Sequence, residues 1–261
     1  MQREETLRSF ERLLNIMDDL REKCPWDKKQ SIESLRHLTI EETYELSDAI
    51  LKNDLNEIKK ELGDILLHIV FYSLIGSELN AFDIKKVMDD LCEKLIYRHP
   101  HIYGDVKAET EEQVKQNWEQ LKQKEKDGNK TALSGVPNSM PALLKAYRIQ
   151  EKVSAIGFDW EKPEQVYEKV KEELGEFEKE VSAGNTVKSS EEFGDVLFSL
   201  INYARFLNIN PEDALENTNK KFTQRFNYLE QKIKAQNKTL KDCSLDEMNV
   251  YWEEAKHLKH D

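Results

Sequence analysis

One acidic pattern occurs twice in this chain, and it narrows the choice of fold more than any other feature. Residues 41–64 read EETYELSDAILKNDLNEIKKELGD and residues 172–195 read EELGEFEKEVSAGNTVKSSEEFGD. The two stretches agree at six of 24 positions, five of them acidic and the sixth a glycine, while the hydrophobic filler differs. In the second stretch Glu172, Glu173 and Glu176 fall within an arc of about 100° on a helix of 3.6-residue period. Glu192 and Asp195, three residues apart, share a face of a second helix. Gly184-Asn185 reads as the turn between them. Glu176 and Glu192 are almost equally far from that turn, so an antiparallel helical hairpin brings both to one height, roughly 12 Å from the bend at 1.5 Å per residue. Asn53-Asp54 plays the same part for Glu45 and Glu61. Carboxylates from adjacent helices should therefore converge at two places.

The rest of the chain agrees with a helical design. Apolar residues recur at helical spacing in Leu13, Leu14, Ile16, Met17 and Leu20, and again in Ile65, Leu66, Ile69, Val70 and Leu74. Val196, Leu197, Leu200, Ile201 and Ala204 give a third stripe. No segment sustains period-two alternation, so the expected fold class is all-α, built as two tandem helical bundles. Charged residues at 34% with only nine Gly and six Pro favour long, charge-faced helices. The clearest break, KEKDGNKTALSGVPNSMP at 124–141, holds paired Gly and Pro among Asn and Ser. It sets the expected domains at 1–126 and 142–261, with 127–141 as linker. Trp26 and Trp118 are 92 residues apart, as are Trp160 and Trp252. CEKLIYRHP (92–100) and NKKFTQRFN (219–227) each place a Lys four residues before an Arg. One helical domain was duplicated.

Bulk properties remove several classes of function. A net charge of −12 argues against a nucleic-acid partner, because phosphate neutralisation needs a basic surface. Small phosphate ligands stay admissible where a metal or a few cations screen the charge. Cys24, Cys92 and Cys243 are far apart and form no CxxC pair, which reads as a reduced cytoplasmic protein. The charged start MQREETLRSFERLL has no secretory apolar region, and ILLHIVFYSLIG is too short to span a bilayer. A soluble, membrane-free chain is expected.

A single acidic ExxE on a helix is ordinarily a solvated face. Here the pattern occurs twice, and Glu61-Asp64 and Glu192-Asp195 run straight into apolar stripes. Like charges gathered near a core repel one another and resist desolvation unless a cation joins them. An all-oxygen set suits Mg²⁺ or Mn²⁺, and neither acidic stretch has the ExxH of a di-iron bundle. His68, whose counterpart is Ser199, reads as a packed histidine. Gly63 and Gly194 each cost a helix about 1 kcal/mol, which close helix approach or ligand access would offset. Lys94 with Arg98, and Lys221 with Arg225, are either phosphate-binding pairs or solvated basic edges. Trp118 and Trp252 are either stacking platforms or hydrophobic anchors, and Trp26 and Trp160 read as core.

EETYE…ELGD, EELGE…EFGD, CPWDKKQ and KLIYRHPH together resemble the MazG family of nucleoside triphosphate pyrophosphohydrolases in its long, two-copy form. The resemblance covers essentially the whole chain. It implies Mg²⁺-dependent hydrolysis of nucleoside triphosphates to monophosphate and diphosphate, with broad base specificity, by a homodimer. It also implies metal ligands at Glu173, Glu176, Glu192 and Asp195, with Lys169, Glu172, Lys221, Arg225 and Trp252 around the nucleotide. The first copy matches at Glu42, Glu45, Glu61, Asp64, Lys94, Arg98 and Trp118. Glu172 or Glu173 would orient or deprotonate the water that attacks the α-phosphorus. The second copy is read as the principal catalyst, because Asn219-Lys220 adds a donor where the first copy has Cys92. The competing readings are a regulatory or scaffolding helical protein that binds Ca²⁺ or Mg²⁺ structurally, and a narrow-specificity relative acting on dUTP, dCTP or phosphoribosyl-ATP.

Overall fold

The computed structural model describes residues 2–108, 110, 113–114, 117–118, 121–122 and 131–258. Helices account for the regular structure, and no strand occurs among the described residues. Contacts divide the chain into two compact units, Met1–Lys107 and Ala108–Asp261. The boundary expected at 126/127 falls outside the described residues. Of the expected linker, residues 131–141 are described and form turns without a helix.

The first unit consists of α1 (Gln2–Lys23), α2 (Ile32–Leu51), α3 (Leu55–Glu78), α4 (Ile84–Arg98) and the short α5 (Pro100–Tyr103). Helices α2 and α3 form an antiparallel hairpin, and α1 and α4 pack against α3. Met17, Leu35, Val70, Phe71 and Ile75 make the core, with Leu38 and Tyr72 packed against it. Arg21 ties the chain between α1 and α2 to the end of α3: its guanidinium donates to Glu78 at 2.7 Å, to the Gln30 carbonyl at 3.0 Å and to the Asp27 carbonyl. Phe71 is 2% exposed. Its replacement by Ala is expected to cost about 3–5 kcal/mol, because the cavity cannot collapse fully. A denaturant melt of Phe71→Ala, in which the first unit unfolds at lower urea than the second, is the check.

The second unit has α6 (Ala142–Ala155), α7 (Pro163–Ser182), α8 (Thr186–Phe206), α9 (Pro211–Ala235) and α10 (Leu245–Lys256). Its hairpin is α7 with α8, while α9 packs on α6, α8 and α10. The two hairpin bends use one device. At the end of α2, Asn53 turns left-handed at φ 54°, and Asp54 then caps α3 by accepting from the Asn56 and Glu57 amides. At the end of α7, Gly184 turns at φ 70°, and Asn185 caps α8 by accepting from Lys188. Gly and Asn tolerate this backbone region best, and an Asx side chain satisfies the first free amides of the next helix. Bends of equal build fix equal registers. The carboxylates therefore meet at the same height in both hairpins.

Two expectations need correction. Trp26 and Trp160 are not core residues; they are 54% and 46% exposed, because each lies in a connection outside the helices that bury the apolar stripes. Gly63 and Gly194 do not mark close helix approach within the chain, since a Cβ at either would meet no atom within 4 Å.

Candidate metal and substrate site

In the first unit Glu42 and Glu45 from α2 meet Glu61 from α3, each offering an oxygen within 4.8 Å of the others. In the second, Glu173 and Glu176 from α7 meet Glu192 from α8 within the same limit. Asp64 and Asp195 stand beside these trios. Asp64 raises the pKa of Glu42 from nearby, and Asp195 does so for Glu192. Each trio contains one buried carboxylate, Glu61 at 2% and Glu173 at 8% exposure.

The copies neutralise that buried charge differently. Lys169, one turn before Glu173 on α7, reaches Glu173 at 2.7 Å and Glu172 at 2.9 Å. The bonds to these two glutamates hold its pKa well above the ordinary lysine value, so it is charged at any working pH. In the shared register its counterpart is Leu38, a core side chain. In the first copy Lys60 donates to Glu61 Oε1 at 3.0 Å, and Glu61 Oε2 is buried without a partner. His68, buried one turn beyond Asp64, has an unpartnered Nδ1; burial lowers its pKa and Asp64 partly opposes this.

Burial, then Asp64, Glu45 and Glu61, push Glu42 up. Desolvation, then Glu176, Asp195 and Glu173, do the same to Glu192. For an acid with a raised folded pKa, the stability it contributes is fully present below its unfolded value, about 4.3 for Glu, and is lost as pH rises through the folded value. In metal-free buffer Glu42→Gln should therefore melt above the parent at pH 7, by no more than about a few °C. That difference should close by pH 4. Thermal melts in chelator at the two pH values test this, and a gap that widens in acid would refute it.

A cavity of about 520 Å³ opens in the second unit. Lys169, Glu173 and Asp195 line it together with apolar and aromatic groups that include Phe158, Trp160 and Phe198. Asp159 and Arg205, also in its wall, pair at 2.6 Å. Burial would raise Asp159, but the bonds from Arg205 and Ser154 hold it below the usual carboxylate range. Lys221 and Arg225 on α9 lie outside this cavity lining. Arg225 sits 5.9 Å from the Trp252 ring, and Trp252 packs on Phe222 at 5.0 Å. Arg225 Nε is buried without a partner. In the first unit Lys94 is exposed and Arg98 half-buried on α4. Trp118 is half-buried and falls within the second unit by its contacts.

These observations define an all-α protein of two tandem helical units, each with a hairpin that closes three carboxylates around one point. Such a donor set can hold a hard cation. The model of the MazG nucleotide pyrophosphohydrolase domain matches the chain twice, at residues 30–103 and 161–229. The chain is 45% identical over 250 residues to the nucleoside triphosphate pyrophosphohydrolase/pyrophosphatase MazG of Thermotoga maritima, covering 95% of each. It is 37% identical over 262 residues to the nucleoside triphosphate pyrophosphohydrolase of Escherichia coli K12, covering 98% of this chain and all of that one. A crystal structure of a mazG-related protein from Thermotoga maritima is 30% identical, with a TM-score of 0.39 over 43% of this chain and 98% of that one. The chain belongs to the MazG family.

Sequence reasoning missed Gln150 and the Asp159–Arg205 pair in the cavity wall. A lone Gln on an amphipathic helix carries no signal, and the ion pair spans 46 residues. No described helix is long and apolar enough to cross a membrane.

Proposed function

We propose that this chain hydrolyses nucleoside triphosphates to monophosphate and diphosphate with broad base specificity, using Mg²⁺ that Mn²⁺ can replace. It would work as a cytoplasmic homodimer of two MazG-like domains, 1–126 and 142–261. The observation that carries this reading is the duplicated carboxylate trio, with Glu173 buried against Lys169 in the wall of a substrate-sized cavity. The names of the relatives support the reaction.

The residues fit a hard cation. All donors are carboxylate oxygens, three converge in each copy, and the buried, partnerless Glu61 Oε2 needs a positive charge beside it. Glu173, Glu176, Glu192 and Asp195 would hold the ion in the second copy, and Glu42, Glu45, Glu61 and Asp64 in the first. When bound, it would screen triphosphate charge and make a water more acidic. Glu172 or Glu173 would orient the attacking water and take its proton, with Lys169 keeping both glutamates in place. Lys221 and Arg225 meet the charge of the departing diphosphate, and Trp252 fixes the Arg225 guanidinium. Lys94 and Arg98 would be the corresponding groups of the first copy.

Incubation with mixed nucleoside triphosphates and Mg²⁺ should release diphosphate and monophosphate in equal amounts. Excess chelator should abolish the release, and Mn²⁺ should restore it. Absence of diphosphate, or release of orthophosphate instead, overturns the proposal. The scaffold reading predicts no release at all, and the narrow-specificity reading predicts release from one base only.

A further inference from the structure

The cavity of the second unit has two chemically distinct parts. Lys169, Glu173 and Asp195 give it a charged wall, while Phe158 and Trp160 give it aromatic surface that the fold leaves 77% and 46% exposed. Its volume, about 520 Å³, lies within the range of small-ligand sites. Among its other polar groups, Arg205 bonds Asp159 at 2.6 Å and Asn202 at 2.8 Å, and the Ser199 hydroxyl donates to the Val196 carbonyl at 2.9 Å. Gln150 is different. It is 3% exposed in the cavity wall, and its Nε2 donates to the Phe198 carbonyl at 2.8 Å. That bond fixes the amide orientation and leaves Oε1 as a buried acceptor without a partner.

We infer that this cavity holds the nucleobase of the substrate, and that Gln150 Oε1 accepts a hydrogen bond from an N–H on the base edge. The inference rests on the proposed triphosphate hydrolysis and adds the base-reading residue to it. Trp252 packs on Phe222 and beside Arg225, outside the lining of this cavity. Phe158 and Trp160 offer flat apolar surface in the cavity that Glu173 and Asp195 also line, so a base can stack there while its phosphates meet the carboxylate trio. A single acceptor explains breadth. Adenine and cytosine present an exocyclic amine on that edge, uracil and thymine an imide N–H, and guanine both kinds of donor. Any natural base can satisfy Gln150, whereas a base with no N–H leaves it unpaired in a desolvated wall.

The test is the ratio of kcat/KM for paired substrates with the full chain and Mg²⁺. ATP is compared with purine riboside triphosphate, and UTP with N3-methyl-UTP; each analogue lacks the N–H donor of its parent. The wild type should prefer each parent by about tenfold or more. In Gln150→Leu, and in the shape-conserving Gln150→Met, each ratio should fall to near one. Equal use of parents and analogues by the wild type overturns the inference without any variant, and so does a variant that folds and keeps the wild-type ratios. Both results leave triphosphate hydrolysis standing. Failure to release diphosphate from any triphosphate overturns that function and this inference together.

Discussion

Glu192→Gln is expected to lower kcat/KM for diphosphate release by at least about a hundredfold, while Glu61→Gln keeps most of the activity. Both replacements remove one charge from the α8 or α3 side of a trio and keep the side-chain shape, so the comparison isolates which copy works. The asymmetry follows from the surrounding charges. In the second copy Lys169 bridges Glu172 and Glu173, and the trio shares a cavity wall with aromatic groups. At the Lys169 position the first copy has Leu38, packed on the core formed by Met17, Leu35 and Phe71. The cationic helix differs too, since Asn219-Lys220 stands where the first copy has the exposed Cys92-Glu93. Full activity in Glu192→Gln with loss in Glu61→Gln would reverse the assignment, and equal losses would mean that both copies turn over. Metal-free melting curves close to the parent's would show that neither loss comes from unfolding.

The hairpins were legible in the sequence because their causes are local. Asn53-Asp54 and Gly184-Asn185 carry the conformational and capping chemistry that ends one helix and starts the next. Helical period then places Glu45 level with Glu61 and Glu176 level with Glu192. What could not be read is set by tertiary packing. Trp160 looks like core by residue type, yet it lies between α6 and α7 and lines a cavity. Trp252 looked equally suited to stacking or anchoring, and its contact with Phe222, 30 residues away, could not be read from residue type. Gln150 gains meaning only because the Phe198 carbonyl, 48 residues away, takes its amide N–H and leaves the oxygen unmatched. Lys169 lay between these extremes. Its distance from Glu172 and Glu173 on one helix was countable, but not that both bonds form at once over a buried carboxylate.

Lys169→Met should cost about a hundredfold in kcat/KM and at the same time lower the Mg²⁺ concentration needed for half-maximal activity. Methionine keeps the length of the unbranched stem and removes only the ammonium. Lys169 stands 2.7 Å from Glu173, which is 8% exposed, so the variant concentrates negative charge where a cation would bind. Added negative charge favours the metal, whereas loss of the tether lets Glu172 and Glu173 leave the orientation that water activation requires. A merely collapsed site would weaken metal and turnover together, so the opposed changes separate the two cases. The pH dependence gives a second check. The Lys169 pKa is raised by its glutamates, so its contribution to stability is fully present below the unfolded lysine value, about 10.4, and is lost only as pH climbs through the higher folded value. The melting difference between parent and variant should be the same at pH 6 and pH 9, and the alkaline limb of the rate profile should not move. If turnover is unchanged in Lys169→Met, the two ion pairs are surface decoration on a helix, and the charge asymmetry between the copies has no catalytic meaning.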